Sequence, residues 1–253
     1  MHKAWRSKKM KRFLAVLLSL ILAAGSLFVT AFAADGKKEK VYPVILLQGY
    51  SGPKLFNQDT GEKAWGLDFD KVKEHVLNDY GKELANGAKE YAKGNPDPLV
   101  DTLGTILLDV MDPIACNADG SSKYNLDTFP KGAEATRMST LIANGQEEYI
   151  GEKPIMTGFV EKLTQQGVEN AADYIFIYTN DWRKGQAQYA KDIDAYIDEV
   201  RALTCSDKVD IYGLSFGGQC GASYLYYYGE KAKVHKACLN VPAIGGTNMV
   251  GDP

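Results

Sequence analysis

Histidine is scarce in this chain. Three are present among 253 residues, His2, His75 and His235. Cysteine is little more frequent, with Cys116, Cys205, Cys220 and Cys238. No two of these have the spacing of zinc ligands, which argues against a metal module. Internal repeats are absent, as is any low-complexity linker, so a solenoid or a string of tethered modules is excluded.

Acidic residues are missing from the first 33 positions. Lys3, Arg6, Lys8, Lys9, Lys11 and Arg12 precede an apolar run from Phe13 to about Val29, and Ala31-Phe32-Ala33 follows. This pattern predicts a secretory signal peptide cleaved after Ala33, hence a secreted, extracellular protein. The lysine-rich start suits a bacterial exporter. An uncleaved anchor is the alternative, but Ala23-Ala24-Gly25-Ser26 interrupts the run. Removing the segment removes six basic residues and leaves 23 basic against 32 acidic, a net charge of −9. Such a balance argues against nucleic acid as a partner. The 220 remaining residues suit one domain with a sizeable core. Export permits two disulfides in three connectivities. None is assigned, because Cys220 and Cys238 read equally well as small buried hydrophobes.

What the mature part does contain is alternation. Strand-length apolar runs occupy Val41–Leu47, Tyr174–Tyr178, Val209–Tyr212 and Val234–Leu239. Between the second and third, Tyr189, Ile193, Tyr196, Ile197, Val200 and Leu203 share one face of a helix over Gln186–Thr204. Further helices are predicted over Gly158–Gln166 and over Phe216–Tyr228, the latter stopped by Gly229. The fold class is therefore α/β, a mostly parallel sheet with helices on both faces. Residues 61–153 break the rhythm. They hold two amphipathic helices, Phe69–Tyr91 and Leu99–Met111, and a polar, turn-rich stretch over Asn117–Pro130. They read as a cap or lid inserted over the sheet's active edge, or as an ordinary helical layer of the same domain.

The most informative five residues are Gly213-Leu214-Ser215-Phe216-Gly217. The pattern G-x-S-x-G between a strand and a helix places a nucleophilic serine on a sharp, strained turn. Glycines at 213 and 217 leave room for the close approach that such a turn requires. A structural serine in a glycine-rich turn is the bland alternative. The oxyanion formed during acyl transfer needs two backbone N–H donors. Phe216, the residue after the nucleophile, supplies one. Tyr50, in the Gln48-Gly49-Tyr50-Ser51-Gly52 loop after the first strand, is the candidate for the other, unless that loop is a plain glycine turn.

Taken with Pro43–Gly52, Tyr178-Thr179-Asn180-Asp181-Trp182-Arg183, Val209–Gly218 and Asn240–Gly246, the chain resembles the lecithin:cholesterol acyltransferase-like branch of the α/β-hydrolases, which includes bacterial secreted lipases. Gln48 departs from the family pattern, where many relatives carry Pro or His. The resemblance implies a lipase, esterase or acyltransferase acting on carboxylic esters of lipids through an acyl-Ser215 intermediate, with transient lipid-surface contact and without metal or cofactor. It also implies that Asp181 and Trp182 help shape the substrate site. The alternative for this motif is structural: Asn180 or Asp181 caps the following helix, while Trp182 and Arg183 pack and pair.

Such a mechanism needs an acid and a histidine after the serine. Only 38 residues follow Ser215. His75 reads as a solvated residue on a helix. His235 sits at the start of a strand, about 16 Å from the active edge at ~3.3 Å per residue. Asp252 lies in a terminal turn that nothing marks as catalytic. The expectation is therefore a hydrolase domain over 34–253 whose acid, base and last strands are missing from this sequence. A non-catalytic secreted binding protein on the same scaffold is the other reading.

Overall fold

A computed structural model of the protein describes residues 40–50, 52–66, 69–147 and 153–245. The expected signal segment, Ser51, Gly246 and Asp252 lie outside these residues. In chain order the elements are β1 (Val44–Leu47), β2 (Leu55–Asn57), β3 (Lys63–Trp65), α1 (Phe69–Ala92), α2 (Asp97–Met111), β4 (Leu126–Thr128), α3 (Met138–Ala143), α4 (Lys153–Gln165), β5 (Ile175–Tyr178), α5 (Gln186–Thr204), β6 (Val209–Leu214), α6 (Phe216–Tyr228) and β7 (Val234–Asn240).

The four apolar runs become β1, β5, β6 and β7, and they pair in parallel in the order β5-β1-β6-β7. Strand alternation sends their side chains to two separate cores. On one face Ile45, Leu47, Phe176, Tyr178, Val209 and Ile211 pack against Tyr189, Ile193, Tyr196, Ile197 and Val200 of α5 and Cys220 and Tyr224 of α6. On the other, Leu46, Ile175, Ile177 and Tyr212 meet Met138 and Leu141 of α3 and Met156 of α4. The mixed α/β class with helices on both faces of a parallel sheet is thus observed. Among the described residues no helix is long and apolar enough to cross a membrane.

The residues between β1 and α3 hold two structures that sequence periodicity misses. Strands β3-β2-β4 form a small antiparallel sheet, with β4 inside the stretch expected to be loop. Helix α3 lies on the main sheet, and Arg137 just before it bridges to Phe176 of β5. Helices α1 and α2 form an antiparallel hairpin, with His75 of α1 meeting Asp109 of α2 and Gly87 fitting against Leu99. Leu103 and Leu107, expected on a buried face of α2, are 52% and 63% exposed, and α2 has no fully buried residue. This helix carries more apolar side chains than its packing on α1, and that of Met111 against Leu55, Ile114 and Trp182, can cover. Leu203 is likewise exposed, one turn beyond the part of α5 that the sheet reaches. At the end of α6 the expected glycine stop takes a different form. Gly229 stays helical, a short 3₁₀ turn runs to Lys231, and Ala232 adopts the left-handed conformation instead.

Candidate active site

The strand order sets where a ligand can sit. From β1 the chain goes to β5 on one side, then crosses to β6 on the other and continues outward to β7. The order reverses between β1 and β6, and in open α/β sheets the crevice at the carboxyl ends of such a pair is where ligands bind. The loops leaving these two strands carry Tyr50 and Ser215.

Ser215 is the residue between β6 and α6, with φ 52° and ψ −115°. These are the angles of the first central position of a type II′ turn, which favours glycine. The surroundings hold it there. Its N–H donates to the Asn240 carbonyl at 2.9 Å, at the end of β7, and its own carbonyl accepts from Gln219 N–H at 3.2 Å. Both flanking glycines are required by contact. A Cβ on Gly213 would stand 2.7 Å from the Gly217 carbonyl oxygen, and one on Gly217 only 2.0 Å from that of Leu47. Gly218 and Gly221 are nearly as confined, by Pro242 and Leu239. The helix start is therefore pressed onto the end of β1. Ser215 is partly exposed, and among the described residues no hydrogen bond engages its Oγ. It begins a 13-residue helix whose first amides have no intrahelical acceptor, a setting that favours negative charge.

Aromatic rings frame this turn. Phe216 meets Tyr189 edge-on at 5.4 Å and Tyr50 at 6.0 Å. Tyr50 lies in the Gly49–Gly52 turn, closed by a 3.2 Å backbone hydrogen bond, and its ring meets Trp182 at 4.7 Å. Trp182 in turn meets Trp65 of β3 at 5.1 Å. Gln48 is buried, with Nε2 donating to the Tyr178 carbonyl at 3.4 Å, so this side chain ties the ends of β1 and β5 together. Cys220, one turn into α6, is a buried thiol whose pKa burial pushes up to about 12, so it does not compete as a nucleophile.

Asp181 and Trp182 have divided roles. Arg183 grips Asp181 with two parallel bonds, Nε to Oδ1 at 2.9 Å and Nη2 to Oδ2 at 2.8 Å, and both side chains are buried. The same guanidinium donates to the Ile114 carbonyl at 2.9 Å and to Ser122 Oγ at 3.0 Å. It thereby fastens the stretch between α2 and β4 to the carboxyl edge of the main sheet. Neither Asn180 nor Asp181 caps α5: its N-cap is Gly185, with no side-chain bond. Asp181 is occupied by the arginine fork, and the chain turns for several residues before the helix begins. Trp182 is packed with Leu55 and Ile114, and its Nε1 is buried without a partner. Arg183 is the residue beside the candidate site that sequence reasoning undervalued, because its other partners lie 61 and 69 positions away.

Neither of the described histidines, His75 and His235, approaches this site. His235 opens β7, its Nδ1 3.0 Å from Asp210 Oδ1 and its ring stacked on Tyr42 at 4.3 Å, at the amino end of the sheet. It lies five positions along the strand from Asn240, which touches Ser215. His75 lies on α1 between two carboxylates. Among the described residues no group of His, Cys, Asp and Glu could hold a metal ion, and all four cysteines are free. No protein-family model matches this chain, and neither a curated protein nor a solved structure matches it.

Proposed function

We propose that this protein is a secreted serine acyl hydrolase of α/β-hydrolase type, a lipase or esterase that acts on carboxylic esters of lipids, by hydrolysis or by transfer to another alcohol. The observation that carries the reading is the backbone of Ser215. A serine in a glycine's conformation, wedged between two glycines that tolerate no Cβ, represents strain retained at one side chain. In this reading Ser215 Oγ attacks the ester carbonyl. The amides of Phe216 and Tyr50 hold the oxyanion, and the N-terminal end of α6 adds its partial positive charge. Acylation gives an acyl-Ser215 ester and releases the alcohol; water or a second alcohol then takes the acyl group. Tyr50, Trp182 and Trp65 offer an apolar wall for an acyl chain. The reaction requires a histidine and an acid from outside the described residues, since neither His75 nor His235 can serve. No nucleic acid enters the reading, given the acidic balance of residues 34–253.

The test is covalent labelling by a fluorophosphonate together with hydrolysis of short p-nitrophenyl esters, using the product of the whole open reading frame. Labelling at Ser215 that Ser215→Ala abolishes, with at least about a 10³-fold loss of hydrolysis, is the expected result. An unlabelled serine would sink the proposal. It would favour the second reading, a binding protein on this scaffold, which the placement of His235 at the far end of the sheet supports.

A further inference from the structure

His75 of α1 has carboxylates on both sides. Its Nδ1 is 2.7 Å from Asp79 Oδ2 and its Nε2 is 2.7 Å from Asp109 Oδ2. Carboxylates only accept, so both ring nitrogens must donate, and only the imidazolium carries two N–H groups. Asp79 is one turn along the same helix, whereas Asp109 belongs to α2. The bond to Asp109 is therefore a clasp across the hairpin, joined there by Tyr80 OH, which donates to the same Oδ2 at 3.0 Å.

Buried apolar packing along α2 is thin. No residue of α2 is fully buried, and Leu77, Val100, Leu103, Leu107 and Leu108 are all more than half exposed. An element with so few buried side chains opens at low cost, and the charge-assisted bonds that meet at Asp109 then count. The clasp also stands at a cavity of about 540 Å³, bounded by His75, Asp109 and Val72 from the hairpin and Trp65 from the small sheet. The other charged groups facing it there are Lys71 of α1, Glu62 just before β3 and Lys63 of β3, with Asp112 just beyond α2. Histidine is the side chain among these whose charge ordinarily changes between about pH 5 and 8.

We propose that His75 is a proton-operated clasp that holds the α1–α2 hairpin closed over this cavity and loosens it when the ring loses a proton to solvent. The neutral ring has one N–H and can serve one carboxylate at a time. Attraction that drew Asp79 and Asp109 toward a common cation gives way to repulsion between them across the hairpin. The hydrogen bond to Asp109 and the nearby carboxylates raise the pKa of His75 above its usual 6.5. The closed form is accordingly complete below pH 6.5 and is lost as pH rises through that higher value. The inference is independent of the chemistry at Ser215, and its test reads motion rather than turnover.

Amide hydrogen exchange, corrected for intrinsic rates, is measured from about pH 5.5 to 8.5 on the whole chain and on His75→Gln and Asp109→Asn. Protection of α2 should fall about fivefold with rising pH in the parent protein, while α5 stays unchanged. Both variants should lose that pH dependence. A flat α2 profile in the parent, or the parent's dependence persisting in His75→Gln, would overturn the proposal. If a variant also loses α5 protection and so fails to fold, ring-nitrogen NMR of the parent decides. A ring that is mostly doubly protonated at about pH 7, where an ordinary imidazole is mostly neutral, supports the clasp, and a mostly neutral ring there refutes it.

Discussion

At the residue scale the elbow makes opposite demands at neighbouring positions. Ser215 has an L side chain where glycine would be relaxed, and Gly217 has none because the Leu47 carbonyl leaves no space. The two sites should respond to exchange in opposite senses. Ser215→Gly is expected to stabilise the fold by about 1 kcal/mol while abolishing covalent labelling. Gly217→Ala is expected to cost roughly 3 kcal/mol, since β1 or the helix start must move. Urea unfolding of both variants checks the pair, and a destabilised Ser215→Gly would show that the turn is not strained. The serine position itself was legible in the sequence because its signature is local: two glycines, a preceding apolar run, a following helix. The bidentate hold of Arg183 on Asp181 was legible only in part. Its adjacency is visible, but its contacts with Ile114 and Ser122 depend on a fold that brings remote segments together.

At the scale of elements, agreement between sequence and structure follows the length and burial of each segment. Helices α5 and α6 run over Gln186–Thr204 and Phe216–Tyr228, as periodicity predicts, because each lays a continuous face on the sheet. Strands β2, β3 and β4 have three residues each, too short to carry a period, and owe their existence to pairing with one another. In α2 the period is present but the expected burial is not. Besides the packing of Trp182 on Leu55 and Trp65, two polar contacts reinforce the attachment of the small sheet and its flanks to the main one. One is the Arg183 fork. The other is Thr179, whose Oγ1 donates to the Pro130 carbonyl at 2.8 Å, beside Thr128 Oγ1 at 3.2 Å. Breaking the first leaves Asp181 buried and unpaired. Arg183→Ala should therefore lower stability by about 3 kcal/mol, and Arg183→Lys should restore little of it, because an ammonium cannot reproduce the fork. Full rescue by lysine in a thermal melt would reduce the contact to simple charge.

For the molecule as a whole, acid should weaken the fold through paired carboxylates. Burial tends to raise the pKa of Asp194 on α5, but bonds from Lys231 and Lys233 outweigh it and hold this carboxyl below its usual 3.8. Lys233 also reaches Asp198 at 2.6 Å, so the pair ties α5 to the turn after α6. Asp112, through Lys123 and Tyr124, and Asp207, through Lys40, are shifted the same way. A depressed native pKa gives stability that is present above 3.8 and lost as pH falls toward the native value. Asp210, whose carboxyl burial raises, works against this trend. Urea midpoints should therefore drop as pH falls below 3.8, and Lys233→Ala should move that acid drop to higher pH. An unchanged acid limb in that variant would remove the pair from the account. The sheet order has one more consequence, for synthesis. β1 is the first main-sheet strand to be made, yet it lies inside the sheet, with Val44 beside Ile175 on one side and Asp210 on the other. At ~5–20 residues per second, Val-Ile-Leu-Leu leaves the ribosome many seconds before either neighbour exists. During that interval the centre of the future fold is a bare sticky segment, and the yield of folded protein depends on what shields it until the chain catches up.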